Sequence, residues 1–214
     1  MHNLFSPDSK VMQGLSRAAD LMLLNICFLV TCVPVVTIGP SLAALYSVVL
    51  VMGTDREKSP VAGYFRAFRD NFGPAIKLWL ILLAVGLALS LDLTLCSRLG
   101  GLFAWANVVF GILMVVLLLS AAMAFPLVGM FRNTTMGTLK NSLILGLGNL
   151  PRAAVILALW IFPVYLLIFQ PLVFFNAALL WIIIYFSFAA YLSGLLLRKV
   201  LKPYLPEDEL EETT

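Results

Sequence analysis

Two carboxylates stand where a membrane enzyme or a proton-coupled carrier would keep one: Asp20, just inside the first long apolar segment, and Asp92, near the end of the third. Brought together, they could share acid and base duties in cleaving a lipid-linked sugar. Their positions argue against it. Asp20 lies about 5 Å of helix beyond Arg17 and belongs to the same boundary, whereas Asp92 lies about 27 Å beyond Pro74, at the opposite boundary near Arg98. A carboxylate at the bilayer midplane, the usual mark of ion coupling, is missing. The single histidine, His2, cannot build a catalytic or metal centre within the chain. Cys27, Cys32 and Cys96 have no metal-ligand spacing and read as small buried hydrophobes. No catalytic residue, metal or cofactor is assigned. The deep polar group is Asn25, about 12 Å beyond Arg17, whose amide must find partners on neighbouring helices.

The surroundings of these residues are those of a membrane protein. Of 214 residues, 62% are hydrophobic and 12% charged, and the mean hydropathy is strongly positive. Apolar segments at about 18–36, 40–53, 74–95, 102–130, 153–169 and 172–196 predict an all-α polytopic bundle of about six transmembrane helices. Thirteen of the fourteen Lys and Arg residues fall on one side of that reading, and only Arg98 falls on the other. The excess predicts that both termini are cytoplasmic. It accounts for the net charge of +3 without nucleic acid. The first two segments are short, and either two spans or a re-entrant hairpin satisfies the same charge pattern. The first helix is expected to serve as an uncleaved anchor.

One integral membrane domain, 1–214, is expected, with an amphipathic N-terminal helix at 1–17, cytoplasmic interfacial helices at 59–72 and 135–148, and an acidic disordered tail at 205–214. The first interfacial helix sets Val61, Tyr64, Phe65, Phe68 and Phe72 against Arg66, Arg69 and Asp70. The second sets Met136, Leu139, Leu143 and Leu147 against Lys140 and Asn141. Both end alike, in Asn71-Phe72-Gly73-Pro74-Ala75 and Asn149-Leu150-Pro151-Arg152-Ala153, where the Asn can cap and the Pro can open the next helix. That echo suggests a parallel duplication of segments two and three as four and five. Trp105 and Trp181 are placed near the outer boundary and Trp79 near the inner one, as interfacial anchors.

Asn25, Pro34-Val35-Val36-Thr37-Ile38-Gly39-Pro40, the block Phe65-Arg66-Ala67-Phe68-Arg69-Asp70-Asn71-Phe72, Trp79, and more loosely Asn149 and Pro151 resemble the YesL-like family of small bacterial membrane proteins, a domain of unknown function. In physical terms, Thr37, Gly39 and Pro40 shape a tight turn into the next helix, and Arg66 and Arg69 are candidate contacts for lipid phosphates or an acidic partner. The resemblance implies the bacterial cytoplasmic membrane and, because relatives are often encoded beside carbohydrate importers, a role in sugar uptake. The expectation is a non-enzymatic accessory subunit of a carbohydrate ABC importer, its partners the bilayer, importer permease subunits and a second copy of the chain. The alternatives are a self-sufficient small-solute transporter or channel, and a membrane sensor or adaptor for sugar-responsive regulation.

Overall fold

The computed structural model describes residues 10–52, 59–99, 103–131 and 133–201, and among them every regular element is helical. Helix α1 is Lys10–Cys32; a single 3-10 turn, Val35–Thr37, leads into α2, Ile38–Val49. Then follow α3, Pro60–Leu99; α4, Phe103–Met130; α5, Thr135–Gly148; α6, Leu150–Phe169; and the short α7, Pro171–Asn176. Helix α8, Ala178–Leu201, contains a π segment at Trp181–Tyr185. Five of these, α1, α3, α4, α6 and α8, are long and apolar enough to cross a membrane.

The second apolar segment is the exception to six spans. Helix α2 has 12 residues, about 18 Å against a hydrocarbon core of about 30 Å. It is also deeply buried: Ala43, Ala44, Leu45 and Tyr46 are lost to solvent and Pro40, Ser41, Val48 and Val49 are buried with them. A short helix is tolerated at membrane depth when protein surrounds it. Half-buried Arg198, near the end of α8, donates from Nη2 to the Met52 carbonyl at 2.9 Å. This ties the segment following α2 to the basic end of the last helix, where a cation complements free carbonyls.

Glycines set how closely the helices approach α2 and α4. A Cβ on Gly39 would lie 2.5 Å from the Trp79 Cβ and 2.8 Å from the Ala75 carbonyl oxygen, so α2 and α3 touch almost backbone to backbone. One on Gly129 of α4 would lie 2.7 Å from the Ala43 oxygen, and one on Gly146 of α5 would lie 3.0 Å from the Leu119 oxygen. Small residues at helix crossings are the usual packing device where lipid removes the hydrophobic drive between helices.

Several boundaries differ from the sequence reading. Residues 59–72 do not form a separate surface helix: α3 runs unbroken for 40 residues through Pro74. At the N-terminus, α1 carries Val11, Met12 and Leu15 straight into the first apolar segment, while Ser6 and Pro7 lie outside the described residues. The acidic tail also lies outside them. Helix α5 has the expected range, but its buried face is neither of those expected: Lys140 and Asn141 are exposed, and of the apolar stripe only Leu139 is half-buried against the core. Thr138, Ser142, Leu145 and Gly146 are buried, whereas Met136, Leu143 and Leu147 are exposed. The rule of apolar side inward holds for helices in water; α5 packs largely by small residues beside Leu145 and turns Met136, Leu143 and Leu147 outward.

Candidate functional site

Three groups of polar residues are built into this scaffold. The first surrounds Asn25, which is fully buried. Its Nδ2 donates to the carbonyls of Trp181 at 2.9 Å and Ile182 at 2.6 Å, and its Oδ1 accepts from the Ser187 backbone N–H at 3.0 Å. The π segment shifts the backbone hydrogen-bond register, and a side chain from α1 completes it. The Ser187 hydroxyl donates back to the Leu21 carbonyl at 2.6 Å. Asn25 therefore clamps the first long helix to the last.

The second group is the turn between α1 and α2. Thr37 Oγ1 lies 2.6 Å from the Thr31 carbonyl and 2.7 Å from that of Pro34. Pro40 occupies the first turn of α2, where its missing N–H costs no helical bond. Trp79 Nε1 donates to the Val35 carbonyl at 2.9 Å, so Trp79 lies beside this turn. Gly39 serves the contact with Trp79 more than the turn itself. The Tyr64 hydroxyl, from the supposed surface helix, hydrogen-bonds Thr31; its ring is fully buried. The aromatic stripe is thus anchored in protein at Tyr64 and half-buried Phe68, with Phe65 and Phe72 left exposed.

The third group lines a cleft of about 850 Å³ between α2, the first half of α3, and the α4–α5 turn. Gly63, Arg66, Ala67, Asp70, Asn71 and Pro74 form the α3 wall. Opposite stand Gly129, Met130, Phe131, Asn133, Thr134 and Thr138, with Ser47 of α2 between the walls. The wall is held on both sides. Ser47 Oγ donates to the Ala43 and Gly129 carbonyls, each at 2.8 Å, and Thr134 caps α5 by accepting from the Gly137 N–H at 3.1 Å. The cleft combines a guanidinium, a carboxylate, amides and hydroxyls with an apolar floor, and its size is that of a pocket for a small polar solute or a short peptide segment.

The expected site residues do not converge. Arg66 and Asn71 share the cleft, whereas Arg69 is exposed outside its lining. Thr37, Gly39, Pro40 and Trp79 share the turn, with Pro34 exposed at its start. Asn149 and Pro151 lie apart at the α5–α6 junction. There the Asn149 side chain caps no N–H of α6; its Nδ2 donates back to the Leu145 carbonyl at 3.3 Å and its Oδ1 accepts from Arg152 at 2.9 Å. Asn71 caps nothing either, being inside α3. Trp181 is buried among Phe162, Phe174 and Tyr185 and is no interfacial anchor, while Trp105 is exposed. Sequence reasoning does not single out Asp70, Ser47, Asn133, Thr134 or Thr138 as site residues. One signal is available: Gly63, Ala67, Asn71 and Pro74 repeat at helical spacing as a stripe of small and polar residues. Among the described residues no group of three or more His, Cys, Asp or Glu is placed to hold a metal ion.

Residues 21–93 match the profile of a family described as protein of unknown function, DUF624. Over that segment the chain is similar to this family, in agreement with the YesL-like resemblance carried by Asn25, the turn at Thr37–Pro40, the Phe65–Phe72 block and Trp79. No curated protein and no solved structure matches the chain. What the fold supports is a multi-pass helical membrane protein, and the description of the family matched over residues 21–93 names no activity.

Proposed function

We propose that this protein is a non-enzymatic subunit of the bacterial cytoplasmic membrane that associates with a carbohydrate ABC importer, and that a segment of the importer occupies the cleft between α2, α3 and the α4–α5 turn. The observation that carries the proposal is the cleft itself, with Arg66, Asp70 and Asn71 presented along one wall. Deeper polar groups are committed elsewhere. Asn25, Ser41, Ser120, Ser142, Ser187 and Ser193 all hydrogen-bond within the bundle, which supports a docking role over a conducting path. In this reading the termini and the mouth of the cleft are cytoplasmic, following the Lys and Arg distribution, and ATP hydrolysis belongs to the partner. The genomic company kept by YesL-like relatives supports a carbohydrate importer.

The test is a mild-detergent pull-down of the tagged protein from its native membrane, with mass spectrometry of what is retained. Importer permeases are expected in stoichiometric amount, falling at least tenfold with Arg66→Glu at unchanged yield of the bait. Recovery of the protein alone, or co-purification indifferent to Arg66→Glu, rejects importer docking. A second reading, a self-sufficient transporter, is favoured by the mixed polar lining of the cleft, and solute flux into sealed vesicles without ATP or importer subunits would select it.

A further inference from the structure

Arg66 and Arg69 belong to one motif but face different surroundings. Arg66 lines the cleft and Arg69 does not. At 3.6 residues per turn, Phe65, Arg69, Phe72, Ile76, Leu80 and Leu87 fall within one sector of α3 about 80° wide. Phe65, Phe72, Leu80 and Leu87 are all exposed, as is Arg69 itself. Ile76 and Leu83, in the same sector, are half-buried, and the stripe runs on from the charged half of the helix into its apolar half. Helix α3 has 40 residues, about 60 Å, twice the hydrocarbon core of about 30 Å. One helix therefore carries this face out of the hydrocarbon and through the headgroup layer.

We propose that this sector is a lipid-binding surface on which Arg69 engages the phosphodiester of an anionic phospholipid while Phe65 and Phe72 flank it at the acyl boundary. Continuity identifies the occupant. The same face that exposes Leu80 and Leu87 to acyl chains presents, further down, a cation between two aromatic rings, the composition that suits the interface. A guanidinium donates two parallel N–H bonds to phosphate oxygens, and its charge is attracted by an anionic leaflet. This division of labour, Arg66 to the cleft and Arg69 to lipid, does not depend on what occupies the cleft.

The experiment is native mass spectrometry of the full-length protein equilibrated in mixed micelles containing phosphatidylglycerol and phosphatidylcholine. The wild type should retain phosphatidylglycerol in preference. Arg69→Gln should lower that retention about fivefold, the factor equivalent to about 1 kcal/mol for one basic residue at an anionic surface. Arg69→Lys should keep most of it, and Arg66→Gln should leave it unchanged. The proposal is overturned if Arg69→Gln retains lipid like the wild type, or if Arg66→Gln or Lys77→Gln lowers retention as much, because general surface charge would then suffice. Displacement of the lipid by inorganic phosphate alone would also overturn it, by showing a free-anion site. Arg69 is exposed, so its variants should fold, and unchanged thermal unfolding is the control.

Discussion

Asn71-Phe72-Gly73-Pro74-Ala75 and Asn149-Leu150-Pro151-Arg152-Ala153 read alike, and the chain treats them in opposite ways. Helix α3 passes through the first without a break. At the second, α5 ends, Asn149 leaves helical geometry at φ −129° and ψ 45°, and α6 starts afresh. The residue preceding the first proline eases its passage. A proline ring collides with the Cβ and N–H of a helical predecessor, and Gly73 has no Cβ, so Pro74 costs α3 a hydrogen bond without forcing it to end. A Cβ before proline does not by itself break a helix, since Leu150 is already the first helical residue of α6 and Phe125-Pro126 and Phe162-Pro163 lie inside α4 and α6; the second junction breaks one step earlier, where Gly148 and Asn149 give the chain a place to turn. Tertiary contact reinforces the outcome: the helix just past Pro74 is gripped by α2 through Gly39, Ala75 and Trp79. With one junction continuous and the other broken, and α2 less than half the length of α4, the two halves do not repeat each other. The suggested duplication fails.

The substitution expected to disturb this contrast most is Gly39→Ala. Its Cβ would meet backbone oxygen as well as Trp79, forcing α2 away from α3. A loss of about 3 kcal/mol is expected, at the upper end of overpacking costs, read as thermal unfolding in mild detergent. Gly146→Ala, tight against Leu119 on the other side of the comparison, should cost about 1 kcal/mol. Equal losses would mean that the α2–α3 crossing is not the tighter one.

A double-mutant cycle on Gly73 and Pro74 addresses continuity itself. In the Pro74→Ala background, Gly73→Ala should stabilise by about 0.5–1 kcal/mol through helix propensity. With Pro74 present the same change should gain nothing or destabilise, although Gly73 has open space around it. The expected coupling is about 1 kcal/mol, and simple additivity would refute the role given to the missing Cβ. The smallest effect is expected at the broken junction. Asn149→Ala should cost only a few tenths of a kcal/mol, because its side chain caps no N–H of α6; a functional N-cap would cost about 1 kcal/mol. The same unfolding assay separates these values.

The fold class is legible in the amino-acid sequence: apolar segments ending in basic residues demand a helical bundle in lipid, and the length of α5 is visible in its own periodicity. Four features are not. The faces of α5 are hidden because Thr138, Ser142 and Gly146 look like a solvent side, yet lipid, unlike water, gives Met136 and Leu143 no reason to hide. Helix α2 looks like a span because Leu42 to Val51 is almost wholly apolar, and apolarity alone does not distinguish lipid from protein as the surrounding medium. The cleft escapes because its walls come from residues 47 to 138, and only the α3 wall leaves a periodic trace in one segment. Arg66 and Arg69 resemble a single basic face because they are neighbours in sequence; about 60° of helical rotation divides them.

The Asn25 clamp also sets an order of events during synthesis. Its partners lie 156, 157 and 162 residues further along the chain, so the first long helix is made well before the backbone groups that hold its amide in the finished bundle. Completion of the bundle is thus written into the earliest span. A chain that stalls or is cut before α8 lacks these partners for Asn25, so its first helix has no last helix to be clamped to.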